Sequence, residues 1–178
     1  MTNNETLMIL SVLKAAYPHS YKDMTKKDGE ALVMLWQRMF SDESYEEVNA
    51  AISALIATRK EGYSPTVGEV KDQLQKLHSV NELDEQQAWA LVSKACSNGS
   101  YGYKQEFEKL PPDIQRAVGV PEQLREWARM DADTVQSVVA SNFMRNYRAT
   151  KARQKELQKL PSEVKQMIGS VNIKQIGD

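Results

Sequence analysis

A single cysteine, Cys96, leaves this 178-residue chain without the means to form an internal disulfide, which fits a reducing compartment. Its only histidines, His19 and His78, have no second histidine or cysteine at ligand spacing, so a zinc centre is not expected. No Gly-x-x-x-x-Gly-Lys-Ser/Thr run occurs, which argues against a phosphate-binding loop and the ATPase chemistry that depends on it. No apolar stretch approaches the roughly 20 residues that span a bilayer. The opening Met1–Glu5 has no basic segment of the kind that begins a secretory signal. Carboxylates are plentiful, but none forms a convincing acid/base pair. The expectation is a cytoplasmic binding protein without a cofactor or metal, and not an enzyme.

Glycine and proline are also scarce, at eight and six residues. Ala, Leu, Glu, Lys, Gln and Met dominate instead, and these side chains lose little rotamer freedom in a helix. Hydrophobic and charged residues make up 41% and 26% of the chain, enough apolar material to form a core. The expected fold class is all-α: a small N-terminal helical bundle, then a second helical unit ending in a long basic helix.

Apolar residues at helical spacing place the first helix at about 5–17, with Leu7, Leu10, Val12, Leu13 and Ala16 on one face. Pro18 ends it. A second helix, about 26–40, carries Leu32, Leu35, Trp36 and Met39. Ser44-Tyr45-Glu46-Glu47 and Thr66-Val67-Gly68-Glu69 read as capping boxes, each starting a further helix. Their inward residues are Val48, Ile52, Leu55 and Ile56, then Val67, Val70, Leu74 and Leu77. Residues 1–78 are thus expected to form one bundle, 79–83 a linker, and 84–178 a second helical domain with a basic C-terminal arm.

In the second domain a helix over 84–97 presents Ala88, Leu91, Val92 and Ala95, with Trp89 beside them. Asn98-Gly99-Ser100-Tyr101-Gly102 reads as a loop, and Tyr101, Tyr103 and Phe107 after it as core residues or a base-stacking cluster, core packing being preferred. Short helices follow at 112–118 and 121–130. A long helix, about 133–159, then opens at Asp131 or Asp133. Residues 106–119 and 156–169 resemble each other, both reading as helix, Leu-Pro break and a short helix closed by glycine.

Charge is distributed unevenly: the last 36 residues carry +5 and everything before them −6. Arg145, Arg148, Lys151, Lys155 and Lys159 share an arc of about 120° on the long helix, opposite Val135, Val139 and Phe143, and Arg153 adds a sixth cation. Locally only Glu156 offers a counter-charge. This face could be solvated, could meet an acidic protein surface, or could meet nucleic-acid phosphates.

Tyr17-Pro18, Trp36, Tyr45-x-x-Val48 and Pro65-Thr66-x-x-Glu69-Val70 occur in this order within residues 1–78. Together they resemble the N-terminal domain of the replicative-helicase loader/inhibitor family of phages of Gram-positive bacteria. The resemblance implies a small helical protein without ATPase machinery. Such a protein binds a hexameric helicase of the DnaB type, holds it inactive and delivers it to single-stranded DNA. An origin-binding initiator protein is a further candidate partner, and direct DNA binding is expected to be weak or absent. No functional residue carries over from the family. The helicase contact is placed, from charge alone, on Arg145, Arg148, Lys151, Arg153, Lys155 and Lys159. The alternatives are a nucleic-acid-binding replication accessory protein and a virion-assembly scaffolding protein.

Overall fold

Helices start where a short polar side chain can satisfy the first free backbone N–H groups, and this chain does so repeatedly. In the computed structural model, which describes residues 1–79 and 82–176 (side chains through residue 170), every element among the described residues is helical. The elements are α1 (Asn3–Ala16), α2 (Lys26–Met39), α3 (Tyr45–Thr58), α4 (Val67–His78), α5 (Glu85–Ser97), α6 (Gly99–Glu108), α7 (Pro112–Val118), α8 (Pro121–Trp127), α9 (Ala132–Thr134), α10 (Ala140–Lys159) and α11 (Ser162–Ile176). A 3-10 turn, Pro18–Tyr21, follows α1, and a π-helical stretch, Val135–Val139, joins α9 to α10. Residues 80 and 81 of the expected linker lie outside the described residues. The described helices include none long and apolar enough to cross a membrane.

Both expected capping boxes form, and so do three that sequence reading passed over: Thr2/Glu5, Thr25/Asp28 and Asp84/Gln87. Glu5, Asp28, Glu47 and Glu69 accept hydrogen bonds from their cap residue's backbone N–H or hydroxyl, which holds each carboxyl below its ordinary value. A depressed folded-state pKa adds stability above the unfolded value and loses it as pH falls through the folded one. Helicity followed by far-UV circular dichroism should therefore hold down to the ordinary glutamate value of 4.5 and decline only below it. A decline beginning above that value would remove the caps from the explanation.

The chain divides into two compact units, Met1–Val80 with Leu157–Asp178, and Asn81–Glu156. In the first unit α1 packs on α2 and α3, and α3 on α4. The core is Ile9, Leu13, Trp36, Phe40, Val48, Ala51, Ile52 and Val70 with their neighbours. The inward face of α1 is Thr6, Ile9, Leu10 and Leu13, so Leu7, Val12 and Ala16, expected inside, are exposed. Leu35 and Leu77 are likewise at the surface. The apolar arc of these helices is wider than the face their neighbours cover, and hydrophobicity alone does not say which edge is covered.

Within this unit the C-terminal segment is tied down by polar contacts. Asp42 accepts from the Ser162 backbone N–H (2.6 Å) and hydroxyl (2.7 Å), and Arg38 pairs with Glu163 through Nε (2.9 Å). Lys159 pairs with Asp72 (2.6 Å), and Gln75 donates to Gln158 (3.2 Å). These contacts group residues 157–178 with residues 1–80, whereas the sequence suggested a boundary at 79–83 with everything after 84 in one domain. The second repeat copy also differs from expectation: α11 runs through Gly169 to Ile176. In the first copy Gly119 does end α7, at a φ of +94° that favours glycine.

The second unit gathers Ala88, Trp89, Val92, Cys96, Ile114, Leu124, Val139, Phe143 and Tyr147 into one core. Leu91, expected inside, is at its surface. The segment 98–102, expected as a loop, is helical from Gly99, with a kink at Gly102. Gly99 is buried, and a Cβ there would stand 3.3 Å from the Leu124 carbonyl oxygen. Glycine lets α6 approach α8 closely here, so the Gly-rich sequence marks a close approach and not a loop.

Candidate partner-binding surfaces

α10 is anchored through Ala140, Phe143 and Tyr147, which turn inward beside Val139, Phe143 stacking on Tyr147 at 5.9 Å and tilting on Trp89 at 5.6 Å. The Tyr147 hydroxyl donates to Asp113 (2.7 Å), and burial followed by this hydrogen bond pushes its pKa up. The helical period then fixes where the cations emerge.

The cations were expected to lack internal partners beyond Glu156. The structure corrects this: partners come from sequence-distant segments. Arg148 makes a two-pronged bond to Glu85, with both N–O distances at 2.6 Å. Lys151 donates to the Leu83 carbonyl (2.6 Å) and lies 3.1 Å from Glu82, while Lys155 reaches the same Glu82 carboxylate at 2.8 Å. In the first unit Lys159 is engaged by Asp72. Burial tends to raise the Glu82 carboxyl pKa, but hydrogen bonds and charge from Lys155 and Lys151 outweigh it, and the net direction is down. Arg145 and Arg153 differ from the other four: both are exposed and, among the described residues, neither has an ion-pair partner. They lie about 80° apart on α10.

A second surface escaped sequence reading. α1 and α2 leave a groove of about 680 Å³ lined by Leu7, Leu10, Met24, Leu32, Val33 and Met34, with Lys14 and Lys26 at its edge. Met34 is 70% exposed. The signal available was the surplus of apolar positions on α1 and α2. The aromatic cluster separates: Tyr103 and Phe107 pack against the second core, while Tyr101, expected with them, is 98% exposed.

Groups suited to catalysis are engaged elsewhere. His78 contacts Glu47 (3.2 Å), and burial pushes the Cys96 thiol up to about 11, marking it as a packing residue. Among the described residues no three His, Cys, Asp or Glu side chains converge as metal ligands. A helical scaffold with charged and apolar faces at its surface is the architecture of a macromolecule-binding module. Residues 1–71 match the family model for the N-terminal domain of the phage helicase loader/inhibitor protein, a match that covers α1–α3 and the start of α4. No curated protein and no solved structure matches the chain.

The motif residues behind that resemblance have structural roles here. Tyr17, Trp36, Val48, Pro65 and Val70 are buried, Thr66 caps α4, and Glu69 completes that cap. They specify the bundle, so the partner-contacting residues are to be sought elsewhere on its surface and in the rest of the chain.

Proposed function

We propose that this chain is a phage DNA replication protein that binds a replicative helicase, restrains it and loads it onto single-stranded DNA. The observation that carries the proposal is the match of residues 1–71 to the N-terminal domain of the loader/inhibitor family, in agreement with the resemblance read from Tyr17-Pro18 through Val70. The helicase is taken to be a DnaB-type hexamer, with an origin-binding initiator as a further partner. The protein works by binding and not by catalysis. Restraint then requires tighter binding to one state of the helicase ring than to others, because a ligand shifts an equilibrium only by its difference in affinity.

The proposed contact centres on the exposed Arg145 and Arg153. Arg148, Lys151, Lys155 and Lys159 join it where carboxylates of the helicase replace Glu85, Glu82 and Asp72. Removing residues 145–178 would take Tyr147 out of the second core, so point substitution is the cleaner test. Purified helicase should capture the Arg145→Glu/Arg153→Glu protein at least about tenfold less tightly than the unaltered chain, as charge reversal at an interface places like charges together. Circular dichroism should be unchanged. Equal capture would move the contact to another face, and failure of the unaltered chain to bind phage or host helicase would overturn the function itself.

A further inference from the structure

The cations of α10 in the second unit form a ladder on one side of a shallow cleft of about 590 Å³, lined by Leu83, Glu85, Tyr147, Arg148, Lys151 and Lys155. Three cations there meet two carboxylates, Glu82 and Glu85. Neither carboxylate completes the core. Glu85 stands in the first turn of α5, whose cap is already made by Asp84 and Gln87, and Glu82 precedes it. Nearby Asp84 is committed to that cap, and Asp113 to the Tyr147 hydroxyl. The pairs are open to solvent: the Arg148 side chain is 72% exposed. Ion pairs so placed are screened by salt and exchange readily with other anions.

We propose that Glu82 and Glu85 act as a built-in counter-ion that occupies the phosphate-binding capacity of α10. Without them, Arg148, Lys151 and Lys155 bind the phosphodiester backbone of a nucleic acid. The three stations span seven residues, a rise of roughly 10 Å along one helix face, so consecutive backbone phosphates are the ligand the ladder fits. Tyr147 is buried, and no other ring lines the cleft, so contact is to backbone and not to bases. The device explains how a chain with six cations on one helix keeps them from DNA. It does not rest on the helicase reading, because the assay contains no helicase.

The test is fluorescence anisotropy with labelled single- and double-stranded oligonucleotides, using the full chain at low and moderate salt. Glu82→Gln/Glu85→Gln should bind at least about tenfold more tightly than the unaltered protein at low salt. The log–log salt slope on the single strand should steepen by about 1.4, or ~0.7 for each phosphate newly neutralised. Whichever oligonucleotide gains more identifies the source of the phosphate. Adding Arg148→Gln and Lys155→Gln should abolish the gain. Glu85→Gln alone, which frees only Arg148, should steepen the slope by ~0.7 and serves if the double variant loses helicity. Unchanged affinity overturns the proposal, as does a gain that survives loss of the cations. A gain confined to helicase capture, with neither oligonucleotide affected, overturns it as well.

Discussion

Glu43→Ala should destabilise the first unit by about 3–5 kcal/mol, the cost of leaving a buried charge without its partner. Glu43 receives the Lys71 ammonium, which is only 6% exposed and also lies 4.9 Å from the centre of the Phe40 ring. Without the carboxylate, the ammonium must lose its proton, draw in water or unpack α4 from α3. Replacing both partners with apolar residues of similar size, Glu43→Leu/Lys71→Met, should restore most of the loss, since desolvation of the two charges offsets their attraction. Urea titration read from the NMR signals of α3 and α4 distinguishes the cases. A single substitution as mild as the double one would show that water already reaches the pair.

Phe143→Ala should cost the second unit about 3–5 kcal/mol through lost transfer energy and the cavity left behind. The ring is 3% exposed and touches both Trp89 and Tyr147, so neighbours cannot close the space without moving α5 or α10. Nearby Val138 is exposed, and Val138→Ala should change stability by less than about 0.5 kcal/mol. Titration read from the NMR signals of α5 and α7 separates the two. Similar losses from both would mean the π-helical stretch, and not the core, limits stability. Because Phe143 sits a turn below Arg148, its loss should also loosen the grip of α10 on Glu85 and Glu82.

Much of the fold is legible in the chain order. Pro18, Ser44 and Thr66 set helix ends through local physics: a missing N–H, a hydroxyl within reach of the third residue, and a carboxylate reaching back. The all-α class follows from composition and periodicity, and the resemblance of residues 1–71 is carried by residues that cap helices and fill the first core. Local rules fail where two elements meet. Gly99 and Gly102 look like loop residues until the Leu124 carbonyl is seen against α6. Leu7 and Val12 look like core until α2 and α3 are seen to cover the side of α1 that carries Ile9.

The basic helix shows the same division. Sequence alone determined that Arg145, Arg148, Lys151, Lys155 and Lys159 share a face and that Phe143 turns the other way, because a helix repeats every 3.6 residues wherever it sits. Only tertiary structure decided that Glu85, Glu82 and Asp72 meet four of these cations while Arg145 and Arg153 stay open. Those carboxylates lie more than sixty residues away along the chain. Coulomb attraction depends on distance in space, which periodicity does not encode, so charge counting within the last helix found only Glu156.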